Sequence, residues 1–102
     1  MKLIISFVGI DGFEKNVFNK IVKQLKNLDF ISEVNDFNNQ VVLKLSKSVK
    51  VSEIKKIIEK VVTQKNVKVF QSSKVIEIAR VHKLKHDLTN YDVFIRIEFQ
   101  YN

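Results

Sequence analysis

Residues 92–101, DVFIRIEFQY, alternate without a break: Val93, Ile95, Ile97, Phe99 and Tyr101 fall on one side, Arg96, Glu98 and Gln100 on the other. A period of two is the signature of a strand with one apolar and one wetted face. Just upstream, residues 74–84 (KVIEIARVHKL) fit two periods. As a strand, Ile76, Ile78, Arg80, His82 and Leu84 oppose Val75, Glu77, Ala79, Val81 and Lys83. As a helix, Val75, Ile78, Ala79 and His82 share a stripe. The β-branched content favours the strand, and residues 85–90 then close a long C-terminal hairpin.

Toward the N-terminus the periods switch repeatedly. Lys2–Val8 is almost continuously apolar, which suits a central strand. Gly9–Gly12 turns the chain, and Asp11 with Glu14 has capping-box spacing. Over 13–28, Val17, Phe18, Ile21, Val22, Leu25 and Leu28 recur at helical spacing, with Lys15, Lys20, Lys23 and Lys26 on other faces. Residues 30–37 and 40–46 read as strands joined at Asn38-Asn39, residues that tolerate positive φ. Ser52 is the expected N-cap of a second helix reaching about Gln64, with Ile54, Ile57, Ile58, Val61 and Val62 inward. Val67–Phe70 is a fourth strand.

The order strand, helix, strand, strand, helix, strand implies an α+β, ferredoxin-like βαββαβ sandwich with both helices on one face of an antiparallel sheet. The C-terminal hairpin is an addition, so one domain covers 1–102, with its core at 1–70 and an extension at 71–102. On that plan half of the first strand, either Leu3, Ile5 and Phe7 or Ile4, Ser6 and Val8, points away from the helices. Both sets are largely apolar. An apolar sheet face in water needs a cover: the hairpin, a second copy of the chain or a protein partner. Ile5, Phe7, Phe70 and Phe94 are the residues expected on that face, and a homodimer is the expected state.

The composition is that of a folded domain: 45% hydrophobic, 28% charged, eight phenylalanines and two tyrosines. The absence of cysteine excludes a disulfide framework, a thiolate metal site and a cysteine nucleophile. The apolar N-terminal run is too short to span a bilayer and lacks a cleavage site, so a cytoplasmic protein beginning at Met1 is expected. There is no Gly-x-Ser-x-Gly elbow and no serine with an evident histidine partner. With glycine only at 9 and 12, no glycine-rich phosphate loop can be built. His82 and His86 are four apart, a metal-ligating spacing on a helix but not on strands, and no third ligand is marked. These absences point to a non-enzymatic protein without a cofactor.

The net charge of +7 is spread along the chain, +3 over 1–28, +1 over 29–64 and +3 over 65–102. Such a field favours DNA or RNA; a lysine-rich surface that merely keeps the chain soluble is the competing reading. The basic candidates are Lys15, Lys20, Lys23 and Lys26 on the first helix and Arg80, Lys83, Lys85, His86 and Arg96 on the hairpin. A basic two-stranded arm can enter a groove. Aromatic residues on an open sheet face, Phe7 with Phe70 or Phe94, would let single-stranded bases stack. The alternative is a regulatory or assembly module that docks by its sheet.

Residues 2–69, with Gly9-Ile10-Asp11-Gly12 after the first strand and Val51-Ser52-Glu53-Ile54 opening the second helix, resemble heavy-metal-associated domains. That family carries Cys-x-x-Cys in this loop, where this chain has Gly12 and Lys15, so metal binding does not carry over. Gly9 and Asp11 are also similar to the Gly-x-Asp loop of ACT-type regulatory domains, without its following Pro-Gly. A terminal basic hairpin looks like that of Alba-type chromatin proteins, whose preceding order of elements differs.

Overall fold

The computed structural model describes residues 1–83 and 89–101. Its elements are β1 (Lys2–Phe7), α1 (Gly12–Lys26), β2 (Ile31–Asp36), β3 (Gln40–Leu45), α2 (Val51–Val61), β4 (Val67–Gln71), β5 (Val75–Lys83) and β6 (Thr89–Gln100). Two helices and a six-stranded antiparallel sheet make an α+β fold. Residues 75–83 are strand throughout, so the helical alternative for that segment is not the one taken.

The sheet order is β2-β3-β1-β6-β5-β4. This is not the ferredoxin-like order, in which the fourth strand would lie beside the first. Here β6 holds that place, with Leu3 opposite Phe99, Ile5 opposite Ile97 and Phe7 opposite Ile95. The hairpin is therefore inserted into the sheet between β1 and β4 instead of being added outside it. The reason lies in what each strand can bury. A central strand needs apolar residues along its helix-facing side, and Ile95, Ile97 and Phe99 are all buried. β4 supplies only Val67 and the half-buried Val69, with Lys68 and Gln71 exposed, which suits an edge.

All inward side chains meet in one core. Leu3, Ile5, Val41, Leu43, Ile76, Ile78, Ile95 and Ile97 from the sheet pack with Val17, Phe18, Ile21 and Leu25 of α1 and with Ile54 and Ile58 of α2. The strict alternation of β6 breaks at one point. Ile78 pairs with Ile95 but Ala79 pairs with Val93, so Phe94 is the extra residue of a bulge. Phe94 turns into the core while Val93 faces the opposite side, where a uniform period of two would have grouped Val93 with Ile95.

The local signals position the ends. Asp11 caps α1, its Oδ1 accepting from the Glu14 N–H at 2.9 Å, and Glu14 Oε1 accepts from the Ile10 N–H at 2.9 Å. That is a capping box displaced by one residue, since the reciprocal bond goes to the residue before the cap. In the β2–β3 turn, Asn38 takes φ 72°, and its N–H donates to Asp36 Oδ1 at 2.9 Å. α2 begins earlier than Ser52: Lys50 stands at the N-cap with no side-chain bond. Val49 and Val51 are both buried, and their burial draws the chain into the helix before the serine.

Candidate nucleic-acid interface

The basic residues singled out in the sequence fall into two groups once their neighbours are known. Arg80, at the base of the hairpin, is held by carboxylates: Nη1 lies 2.7 Å from Asp11 Oδ2 and 3.8 Å from Glu14 Oε2, and the guanidinium sits 4.7 Å from the Phe13 ring centroid. Arg96 is likewise engaged, Nε at 3.2 Å from Glu98 and Nη1 at 3.7 Å from Glu77. Lys26 pairs with Asp36 at 3.3 Å. Lys15 reaches the β2–β3 turn, donating to Asn39 Oδ1 at 2.7 Å and the Asn38 carbonyl at 3.2 Å, with Phe7 and Phe18 beneath it.

Lys20 and Lys23 on α1 are exposed and have no carboxylate within 4.0 Å among the described residues, and the same holds for Lys56 and Lys60 on α2 and Lys83 at the end of β5. Both helices cover the same face of the sheet, so the lysines of α1 and α2 belong to one helical layer. Lys85 and His86 lie outside the described residues. Among the described residues most carboxylates lie within 4.0 Å of a basic group, and the basic side chains left without one are lysines.

The apolar candidates divide differently. Ile5 and Phe94 are core residues, and Phe7 packs on the helix side with its ring 5.5 Å from that of Phe18. None of the three lies on the open face, because β1 presents Ile4 and Ser6 there instead, and the bulge turns Phe94 inward. Phe70 does lie on it. The face is not greasy as a whole. Successive rows across the strands read Glu33, Lys44, Lys2, Gln100; then Asn35, Val42, Ile4, Glu98, Val75; then Gln40, Ser6, Arg96, Glu77, Phe70. Lys44–Glu33 at 3.9 Å, the two Arg96 pairs and a Gln40–Ser6 hydrogen bond at 3.3 Å tie these rows together. Most of the surface expected to need a cover is therefore a solvated polar sheet.

Beyond the third row the character changes. Val93, Ala79 and Lys68 form the next row, and Tyr91 pairs with Val81 in the one after. Phe70 and Tyr91 meet edge to face, centroids 5.1 Å apart at 88°. Tyr91 and Lys68 escaped the sequence reading. The signal for Lys68 was present, since it alternates with Val67 and Val69.

A cleft of about 410 Å³ opens between the β1–α1 loop and the hairpin, lined by Val8–Asp11, Glu14, Arg80, His82, Asp92, Val93 and Phe94. Arg80 Nη1 bonds Asp11 and lies 3.8 Å from Glu14 Oε2, His82 Nε2 lies 3.0 Å from Asp92 Oδ2, and Arg80 Nε is buried without a hydrogen-bond partner. Glu14, only 5% exposed, accepts from the Ile10 N–H through Oε1 and has the Arg80 guanidinium 3.8 Å from Oε2. Among the described residues no serine, threonine or cysteine lines the cleft. The network reads as a clasp that fastens the loop to the hairpin. His82 is a strand residue paired with Asp92, and among the described residues no group of three or more His, Asp or Glu side chains could hold a metal ion. No described helix is long and apolar enough to cross a membrane.

No protein-family model matches this chain, and neither a curated protein nor a solved structure matches it.

Proposed function

We propose that this chain is a non-enzymatic binding protein that contacts nucleic acid through exposed lysines, chiefly Lys20, Lys23, Lys56 and Lys60 on the helical layer and Lys83 on the hairpin. The observation that carries this reading is the division of charge. The two arginines and Lys26 are neutralised by Asp11, Glu14, Asp36, Glu77 and Glu98, while these lysines have no acidic partner among the described residues. Uncompensated lysine on a chain of net charge +7 attracts a polyanion at long range and releases counterions on contact. Lysine heads act as point charges, so the contact is expected with the phosphate backbone and with little sequence preference.

Retention on heparin and on mixed-sequence DNA and RNA, measured against salt, tests this. A steep linear fall of log affinity with log salt supports it. No retention at low salt overturns it.

A second reading, a protein-docking module, is favoured by one feature. Ile10 on the β1–α1 loop is 95% exposed and Phe37 in the β2–β3 turn 65% exposed, two large apolar side chains left in water. A partner that binds there would be lost on Ile10→Asp with nucleic-acid retention unchanged.

A further inference from the structure

We propose that the open sheet face over Ala79 is a stacking platform for single-stranded nucleic acid, with Phe70 and Tyr91 as its rings and Lys68 and Lys83 beside them for phosphate. This rests on the nucleic-acid reading above, shares Lys83 with it, and adds a second contact surface for single strands on the sheet face opposite the helical lysines.

The platform follows from the pleat. Ala79 lies on the face away from the helices and outside the main core, yet it is fully buried. On its own face its row neighbours are Lys68 and Val93. A methyl side chain leaves a shallow floor, and Phe70 on β4 and Tyr91 on β6 reach toward each other across β5 to meet edge to face. Phe70 remains 39% exposed and Tyr91 44%. An edge-to-face pair covers one face of one ring, and the exposure of both leaves aromatic surface open to a further partner.

The surrounding charge selects the occupant. Lys68 is on the same face as Phe70, two residues earlier on the strand, and Lys83 is on the same face as Val81. The acid closest in register, Glu77 opposite Phe70, already faces Arg96 at 3.7 Å. A second copy of the chain packed on this patch would bring lysines against lysines, whereas a polyanion with flat apolar bases satisfies both features at once. Bases stacked inside a duplex do not offer their faces to protein rings, but unpaired bases do. The ligand class is therefore single-stranded and read by stacking, with weak dependence on base identity.

The chain contains two tyrosines and no tryptophan, so in a Tyr101→Phe background Tyr91 is the emitting residue. Titrating that protein with an oligothymidine and with a duplex of the same length gives two readouts, anisotropy of a labelled oligonucleotide and tyrosine quenching. The single strand is expected to bind tighter and to quench Tyr91, with the duplex quenching little. Phe70→Leu, which keeps an apolar cover on Ala79 without a π-face, is expected to weaken single-strand binding by about tenfold. Undiminished binding by that variant together with no quenching of Tyr91 overturns the platform, and leaves the lysine reading standing if salt-dependent heparin retention persists. Absence of all retention overturns both. A concentration-dependent dimer that Phe70→Leu abolishes and oligothymidine does not disturb overturns the platform in favour of a self-interface. Should Phe70→Leu fail to fold, the quenching decides alone.

Discussion

Arg80 Nη1 lies 2.7 Å from Asp11 Oδ2, a contact that joins the hairpin to the first turn of α1 across 69 residues of chain. The same guanidinium faces Glu14, which is buried, and covers the Phe13 ring. Removing it leaves Glu14 without its cation, a larger loss than breaking an exposed pair. Arg80→Ala is expected to lower unfolding stability by about 2 kcal/mol. Arg80→Lys should recover only part of that, because an ammonium lacks the flat, forked guanidinium that faces Asp11, Glu14 and the Phe13 ring together. Urea unfolding with an unchanged m-value checks it.

Asp36 provides a pH-dependent prediction. The Asn38 N–H, and after it the Lys26 ammonium, hold the Asp36 carboxyl below its ordinary value. A carboxyl whose folded pKa is depressed contributes stability above its unfolded pKa and loses it as pH falls through the folded one. Asp36→Asn should therefore be less stable than the parent at neutral pH, with the gap closing in acid below the usual aspartate range. Urea midpoints at several pH values report the gap, and a carboxyl-carbon titration of Asp36 by NMR reports the direction of its shift.

Most elements were legible in the sequence because they carry a period of their own, and where residues 74–84 fit two, their β-branched content favoured the strand that forms. The neighbours of each strand were not legible. The alternation of Ile95, Ile97 and Phe99 shows a strand with one apolar face, but β4 and β6 both offer such a face and only one can lie beside β1. That choice depends on how much each buries, which is a property of the assembled sheet. The Phe94 bulge was hidden for a related reason: an extra residue does not change the letters, only the phase at which they meet Ile78 and Ala79. In the candidate site, lysine positions were readable and arginine roles were not. What disarms Arg80 sits at Asp11 and Glu14, and nothing local in residues 74–84 points there.

The start of α2 should be improvable. Lys50 occupies the N-cap with extended φ and ψ but offers no acceptor, and its positive charge faces the positive end of the helix dipole. Lys50→Asp supplies an acceptor for a first-turn N–H and reverses the charge. A gain of about 1 kcal/mol is expected, seen as a higher thermal midpoint. An unchanged or lower midpoint would show that the first turn of α2 is set by Val49 and Val51 alone.

The division of the lysines yields the sharpest comparison. Lys20 and Lys23 are unpaired among the described residues, whereas Lys15 is bonded to the β2–β3 turn and Lys26 to Asp36. Four substitutions to glutamine remove the same charge each, but only the first two remove a group free to meet a phosphate. Lys20→Gln with Lys23→Gln should flatten the log affinity against log salt plot by about 0.9 per lost contact on a duplex and about 0.7 on a single strand. Lys15→Gln with Lys26→Gln should change the slope less while lowering stability more, because the turn loses its two ties to α1. If both pairs flatten the slope equally, long-range net charge governs binding and the lysines on the outer face of α1 have no special part in it.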